Sequence, residues 1–244
     1  MSLRICILET DVLRPELVEQ YQGYGRMFEQ LFSRQPIAAE FRVYNVLNDE
    51  YPDEDQVFDA YLVTGSKADS FGDDPWIQKL KAFLLDRYQR GDKLLGVCFG
   101  HQLLALLLGG KSERAHQGWG VGTHRYVMNA KAPWMSPVRE ELTLLISHQD
   151  QVTALPENAT VIASSDFCPF AAYHINDQVL CFQGHPEFIH DYSRALLDIR
   201  QEALGEQVYS KGMASLEHEH HGATVAEWMM RFVAHKPDAE AAKS

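Results

Sequence analysis

Short apolar runs alternate with longer amphipathic stretches through the first half of the chain. The apolar runs are rich in β-branched, aromatic and leucine residues and predict strands at residues 3–9, 40–46, 58–64 and 93–98. Apolar residues at helical spacing predict helices at residues 15–32, 75–90 and 99–108. Pro15 and Pro75 suit helix starts, and Gly91 and Gly109 suit helix ends. The alternation is typical of a parallel sheet covered by helices.

Beyond residue 120 the pattern changes to short strand-like runs separated by turn residues. These runs are residues 122–128, 141–146, 159–165, 170–175 and 178–182. We expect hairpins or an added mixed-sheet layer in this half. Two further helices are predicted at residues 187–204 and 223–234. The pattern of the whole chain therefore predicts an α/β protein.

Composition narrows the function classes. The chain has 244 residues, 45% of them apolar, and a formal net charge of -12, so affinity for nucleic acid or anionic membranes is not expected. We expect one domain over residues 1–236 and a flexible tail at 237–244, because no Pro-, Gly- or Ser-rich linker divides the chain. The start of the chain lacks a signal-peptide profile, and the four cysteines lack disulfide or zinc spacing. A cytoplasmic location is expected.

The sequence Gly96-Val97-Cys98-Phe99-Gly100 lies between a predicted buried strand and a predicted helix. It is the sulfur counterpart of the Gly-x-Ser-x-Gly elbow, in which a sharp turn exposes a nucleophile and glycines permit close backbone approach. A thiol at a helix N-terminus is favoured in its thiolate form. The Phe99 N–H is placed to donate to an oxyanion. A buried cysteine that merely ends a strand is the lesser interpretation.

A second motif, Gly184-His185-Pro186-Glu187, follows the last apolar strand. A thiolate nucleophile needs a base, and the base needs a group that fixes its orientation. His185 can act as the base and Glu187 as its partner, while Pro186 stiffens the link between them. Together with the cysteine elbow, the motif predicts a Cys98-His185-Glu187 catalytic triad.

The two motifs together resemble those of class I, triad-type glutamine amidotransferases. Within that family the chain looks most like stand-alone GMP-synthase-like members and the related γ-glutamyl peptidases. The resemblance covers the chain to about residue 200. It implies a flavodoxin-like three-layer fold with a mainly parallel central sheet and an added small antiparallel or mixed sheet.

The resemblance also implies further site residues. Gly65, in the loop after the third strand, matches the second oxyanion donor beside Phe99. The family's substrate-binding positions match Gln102, Ser147, His148 and Gln149. His148 is also a rival candidate base, although in the family that role belongs to the histidine of His-Pro-Glu. No cofactor and no metal is expected, and the His218–His221 tract is interpreted as a solvated loop in preference to a metal site.

Two features depart from the commonest family pattern. Gly65-Ser66-Lys67 replaces Gly-Gly-Pro, and Gly184 replaces an aromatic residue before the histidine. Both departures resemble the γ-glutamyl peptidase branch.

Three functions follow from these motifs. The first is a glutaminase that hydrolyses the side-chain amide of glutamine or a related γ-glutamyl compound through a thioester and passes ammonia to a separate synthetase subunit. The alternative is a free-standing γ-glutamyl peptide or amide hydrolase, which takes a small-molecule substrate and needs no partner. A non-catalytic regulatory module on the same fold is disfavoured, because the three catalytic residue types are intact.

Overall fold

A nine-stranded mixed sheet runs through the computed structural model, which describes residues 2–236. The predicted tail at 237–244 lies outside the described residues. The strands are β1 (Leu3–Glu9), β2 (Ala39–Asn45), β3 (Ala60–Val63), β4 (Lys93–Val97), β5 (Lys111–Arg114), β6 (Gly120–Met128), β7 (Glu141–His148), β8 (Asp150–Ala154), β9 (Ala159–Ser164), β10 (Ala172–Ile175) and β11 (Val179–Phe182). The helices are α1 (Pro15–Tyr21), α2 (Tyr24–Phe32), α3 (Pro75–Gln89), α4 (Phe99–Leu107), α5 (His190–Leu204), α6 (Glu206–Ser215) and α7 (Gly222–Ala234).

The strand order is β2-β1-β3-β4-β11-β10-β9-β6-β7. The first five strands are parallel, and the remaining four continue the sheet in antiparallel pairing. Strands β5 and β8 form a separate two-stranded antiparallel sheet. The predicted α/β class, with a mainly parallel central sheet and a small added sheet, is confirmed.

Helices cover both faces of the parallel strands, because side chains alternate across each strand. In β1, Ile5 and Ile7 join a core that includes Phe28 of α2 and Trp228 of α7. Cys6 and Leu8 point the other way, into a core built with α3 and α4. Parallel strands buried on both faces need apolar residues at nearly every position, which explains the continuous runs in the sequence. This is the predicted three-layer arrangement.

Several element boundaries differ from the sequence prediction. The single helix expected at residues 15–32 is two helices, because Gln22 takes a left-handed φ of 65° and Gly23 follows it with an extended φ of 166°. Helix α5 begins at His190, not at residue 187, since the backbone N–H of His185 donates to the Leu145 carbonyl oxygen at 2.8 Å and holds the preceding segment against β7. Strands β5 and β8 and helix α6 have no counterpart in the sequence prediction.

The residues after residue 120 adopt the hairpin alternative. Strands β6 and β7 pair as neighbours, as do β10 and β11, and both pairs extend the central sheet. The described part of the chain contains no helix long and apolar enough to cross a membrane.

The predicted chemistry lies at one edge of the sheet. Parallel strands β1, β3, β4 and β11 end side by side, and the residues that follow them are Thr10, Thr64, Cys98 and Gln183. In open α/β sheets this carboxyl edge is where ligands bind. The fold thus brings together segments that are far apart in the sequence.

Candidate functional site

Cys98 occupies a strained turn between β4 and α4. Its backbone has a φ of 53° and a ψ of -100°, a conformation that residues with a side chain rarely adopt. A Cβ on Gly100 would lie 2.4 Å from the carbonyl oxygen of Val63, and one on Gly96 would lie 2.7 Å from Gly100. Both glycines are therefore required by close backbone contact, as the elbow motif predicts. Strain of this kind is concentrated at functional sites.

The turn places Cys98 at the N-terminus of α4. Cys98 is the N-cap residue of this helix, and Phe99 is its first residue. The N–H groups of a first helical turn have no partner within the helix, and they give that end a partial positive charge. Cys98 is 5% exposed, so this charge acts at short range and with little screening by water.

His185 lies between Glu187 and Cys98. Its Nδ1 donates to Oε1 of Glu187 at 2.7 Å, and its ring stacks on Phe188 with centroids 3.8 Å apart. The other carboxylate oxygen of Glu187 is buried and has no hydrogen-bond partner among residues 2–236. The carboxylate therefore directs its only side-chain hydrogen bond to the imidazole.

Burial and charge act in opposite directions on His185. Desolvation by burial lowers the pKa of the ring, but the negative charges of Glu187 and Cys98 and their hydrogen bonds raise it by more. The result is a pKa raised from 6.5 to about 10. At neutral pH the imidazole of His185 is therefore protonated.

The loop after β3 is tied to the loop after β1 through Thr10. Its Oγ1 donates to the carbonyl oxygens of Thr64 (3.1 Å) and Gly65 (3.0 Å). These contacts hold Gly65 so close to the imidazole that an added Cβ would lie 2.7 Å from Cε1 of His185. The loop after β3 therefore packs directly against the imidazole of His185.

Asp11 makes a second connection between the same two loops. Its carboxylate accepts from the backbone N–H of Lys67 at 2.8 Å and from Nζ of Lys67 at 2.7 Å. No sequence motif marks Thr10 or Asp11, and only the adjacency of β1 and β3 shows their role.

A pocket of about 280 Å³ opens beside Cys98. Its walls include all four predicted substrate-binding residues, which are Gln102, Ser147, His148 and Gln149. Gly65, Phe99, His185 and Glu187 do not line this pocket. The larger groove, along the edge strand β2, contains none of the predicted site residues.

Gln102 is held rigidly at the pocket wall. Its Nε2 donates to the carbonyl oxygen of Asp150 at 2.8 Å and to Oε1 of Gln183 at 3.1 Å. Both amide hydrogens thus have protein acceptors, and the Oε1 of Gln102 is the atom left to accept from a ligand. The side chain is suited to receive an N–H or ammonium donor.

His148 is buried and neutral. Desolvation by burial lowers the pKa of its imidazole to about 3, and its Nδ1 donates to the carbonyl oxygen of Asp150 at 3.0 Å. A ring with so low a pKa is a poor base at neutral pH.

The sequence interpretation missed the charged part of the pocket. Arg114 of β5 contacts both Asp150 (2.5 Å) and Asp69 (3.0 Å), and Arg200 of α5 donates to Oγ of Ser147 at 2.7 Å. Neither arginine belongs to a recognisable motif. Only the packing of α5 and of the small sheet brings them to the pocket.

Close packing against β7 explains why residue 184 is a glycine. A Cβ at this position would lie 2.7 Å from Cβ of Leu144 in β7. An aromatic residue before His185 therefore has no room in this chain.

The described residues contain no group of three or more His, Cys, Asp or Glu side chains placed to hold a metal ion. The His218–His221 tract lies in the loop between α6 and α7, as predicted.

Comparison with known proteins identifies the family. The model for glutamine amidotransferase class-I matches residues 58–198, more than half of the chain. The chain belongs to the class I glutamine amidotransferase family. The predicted family and enzyme class, a cysteine-nucleophile amidohydrolase or glutamine amidotransferase, are thereby confirmed.

Individual relatives of this amidotransferase fall into two groups. Gamma-glutamyl peptidase 3 of Arabidopsis thaliana is 30% identical over 81% of this chain and 82% of its own length. The GMP synthase of Streptococcus mutans serotype c is 30% identical over 71% of this chain but only 34% of its own length. A solved glutamine amidotransferase structure from Thermotoga maritima has a TM-score of 0.77 at 16% identity, covering 96% of this chain and 100% of that one, and shows the fold alone.

The contact between Gly65 and His185 yields a first prediction. Gly65→Ala places a methyl group too close to the imidazole ring of His185, so we expect the ring to be displaced. We expect kcat for glutamate release to fall about 100-fold as a result. We expect the free energy of unfolding to fall by about 1–3 kcal/mol, as in other overpacked sites. Steady-state kinetics and urea denaturation measure the two effects.

The matched control is Gly23→Ala. Its added Cβ would meet only the carboxylate of Glu9, the flexible end of a side chain, with Oε1 nearest at 2.9 Å. Activity close to that of the unaltered protein is expected for Gly23→Ala. A Gly65→Ala protein that retained full activity would contradict the position of Gly65 against the His185 imidazole.

The raised pKa of His185 yields a second prediction. We expect the His185 imidazole to titrate near pH 10 in an NMR titration, and to titrate at lower pH in Glu187→Gln, which lacks the carboxylate. Because the folded pKa exceeds the unfolded value of 6.5, the stabilisation is complete below about pH 6.5 and is lost as pH rises toward 10. The stability difference between wild type and Glu187→Gln should therefore shrink over that interval.

His148 serves as an internal control in the same spectra. Its pKa is lowered to about 3, so its ring should remain neutral throughout this titration. Titration of His185 near its ordinary pKa of 6.5 in both proteins would refute the imidazolium assignment.

Proposed function

We propose that this protein is a free-standing hydrolase of γ-glutamyl amides, with Cys98 as nucleophile, His185 as base and Glu187 as its orienting partner. The observation that carries the proposal is the buried imidazole of His185, which contacts Glu187 at 2.7 Å and lies against Cys98 at a helix N-terminus. We further propose that the residues up to 236 act as one domain, since the nine-stranded sheet joins elements from both halves of the chain.

In the first step the Cys98 thiolate attacks the side-chain carbonyl carbon of the γ-glutamyl group. The N–H groups of Phe99 and Gly65 donate to the oxygen as it becomes negative, a contact worth about 3–4 kcal/mol per donor in comparable sites. The imidazolium of His185 gives its proton to the departing amine. The products of this half-reaction are the free amine, or ammonia from glutamine, and a γ-glutamyl thioester.

In the second step water replaces the amine. Neutral His185 takes a proton from the water, which attacks the thioester carbonyl and releases glutamate and the thiolate. Throughout, Glu187 holds the imidazole in one tautomer through its Nδ1. Gln102, through its Oε1, accepts a hydrogen bond from the α-ammonium of the glutamyl group.

The comparisons support a free-standing hydrolase over a synthetase subunit. The relative named gamma-glutamyl peptidase 3 aligns with this chain over 82% of its own length, so little of that protein lacks a counterpart here. The GMP synthase has most of its length outside the match. Its similarity nevertheless keeps a second candidate function open, namely a glutaminase that delivers ammonia to a separate synthetase.

The test is glutamate release by the isolated protein. We expect turnover of γ-glutamyl peptides or amides without any partner, and a loss of about 10⁴- to 10⁶-fold in kcat in Cys98→Ala. Cys181→Ala is the matched control, because this buried cysteine lies in the core of β11 away from the pocket.

Two results would redirect the proposal. Glutamine hydrolysis that appears only when a synthetase is added would favour the second candidate. Equal rates in wild type and Cys98→Ala would remove Cys98 from the mechanism altogether.

A further inference from the structure

Arg200 projects from α5 onto the pocket that contains Cys98. Its Nη1 donates to Oγ of Ser147 at 2.7 Å, and its Cζ lies 5.6 Å from the ring centroid of Trp119. One contact fixes the direction of the guanidinium and the other restricts its plane. The side chain is thus held in place without a ligand.

The charge of Arg200 is not neutralised by the protein. Within residues 2–236 no carboxylate lies within 4.0 Å of its guanidinium. In a protein of net charge -12, an unpaired arginine held at a pocket wall indicates an anionic group on the ligand.

The other cations that line the pocket differ from Arg200. Lys67 and Arg114 are each paired with aspartate side chains. Arg14 is exposed, and its side chain makes no hydrogen bond or ion pair with the part of the chain that the structure describes. Arg200 therefore combines an unpaired charge with a fixed orientation.

We propose that Arg200 binds the α-carboxylate of the γ-glutamyl group and so determines that the enzyme acts on γ-linked glutamyl compounds. The inference rests on the proposed function, since it concerns the substrate of the same site. The guanidinium has five N–H donors, and Ser147 uses only one of them. The remaining edge can bind a carboxylate through two parallel hydrogen bonds.

The position of Gln102 agrees with this role of Arg200. A glutamyl group carries its α-ammonium and α-carboxylate on one carbon, at the opposite end from the scissile carbonyl. Gln102 presents an acceptor and Arg200 presents donors, and both line the pocket that Cys98 opens into. The two side chains therefore match the two charged groups of an amino-acid head.

Matched substrates separate the possible sources of the carboxylate. γ-Glutamyl methylamide carries only the α-carboxylate, its α-carboxamide carries none, and γ-glutamylglycine adds a carboxylate on the leaving group. We expect Arg200→Gln to lower kcat/KM for γ-glutamyl methylamide about 10- to 100-fold, mainly through KM. We expect no comparable loss for the α-carboxamide.

Arg194→Gln is the control variant. Arg194 is an exposed arginine of the same helix that does not line the pocket, so the change in net charge is identical. An Arg200→Gln effect confined to γ-glutamylglycine would assign the arginine to the leaving group and overturn the proposal. An equal loss with all three substrates would show a structural role and also overturn it.

Binding to the inactive protein separates this inference from the proposed function. Calorimetry with Cys98→Ala and Cys98→Ala/Arg200→Gln measures affinity for γ-glutamyl methylamide without catalysis. We expect the double variant to bind about 10- to 100-fold more weakly. Equal affinity of the two proteins, or no binding to either, would refute the role of Arg200. If binding depends on Arg200 but the wild type does not hydrolyse the substrate, only the hydrolase assignment is refuted.

Discussion

The buried contact between His185 and Glu187, placed against Cys98, is the interaction on which the rest of the site depends. Each partner is almost fully buried, so neither charge is stabilised by bulk water. Burial lowers the pKa of the imidazole, but Glu187 and the neighbouring Cys98 raise it by more, so the ring keeps its proton. Removal of the Glu187 carboxylate would leave an uncompensated buried charge. The architecture around the pocket can be understood as the means of holding these three side chains together.

Neighbouring backbone segments supply that restraint. The positive φ of Cys98 is tolerated because glycines on both sides permit close packing against β3 and α4. Gly65 lies against the imidazole because Thr10 fixes the loop after β3. Strands β1, β3, β4 and β11 are adjacent in the sheet, so segments from four parts of the chain meet at one edge. The fold and the chemistry are thus linked through the order of the strands.

Features that depend on local sequence could be predicted from the chain alone, and features that depend on tertiary contacts could not. Cys98, Gln102 and the His185-Glu187 pair occur in short motifs with local spacing, which can be recognised in the sequence itself. The parallel strands are recognisable because burial on both faces demands continuous apolar runs. Strands β5 and β8 lack that pattern, and Arg200 reaches Ser147 only through the packing of α5. Tertiary contacts of this kind have no local signature.

The central claim is that Cys98 carries the γ-glutamyl group during turnover. The most direct measurement is mass spectrometry of protein that is quenched with acid in the pre-steady state with γ-glutamyl methylamide. We predict that one glutamyl group is found on the peptide that contains Cys98, and that it disappears as substrate is exhausted. A glutamyl group on a different residue, or complete turnover without any labelled peptide at any time point, would contradict the account.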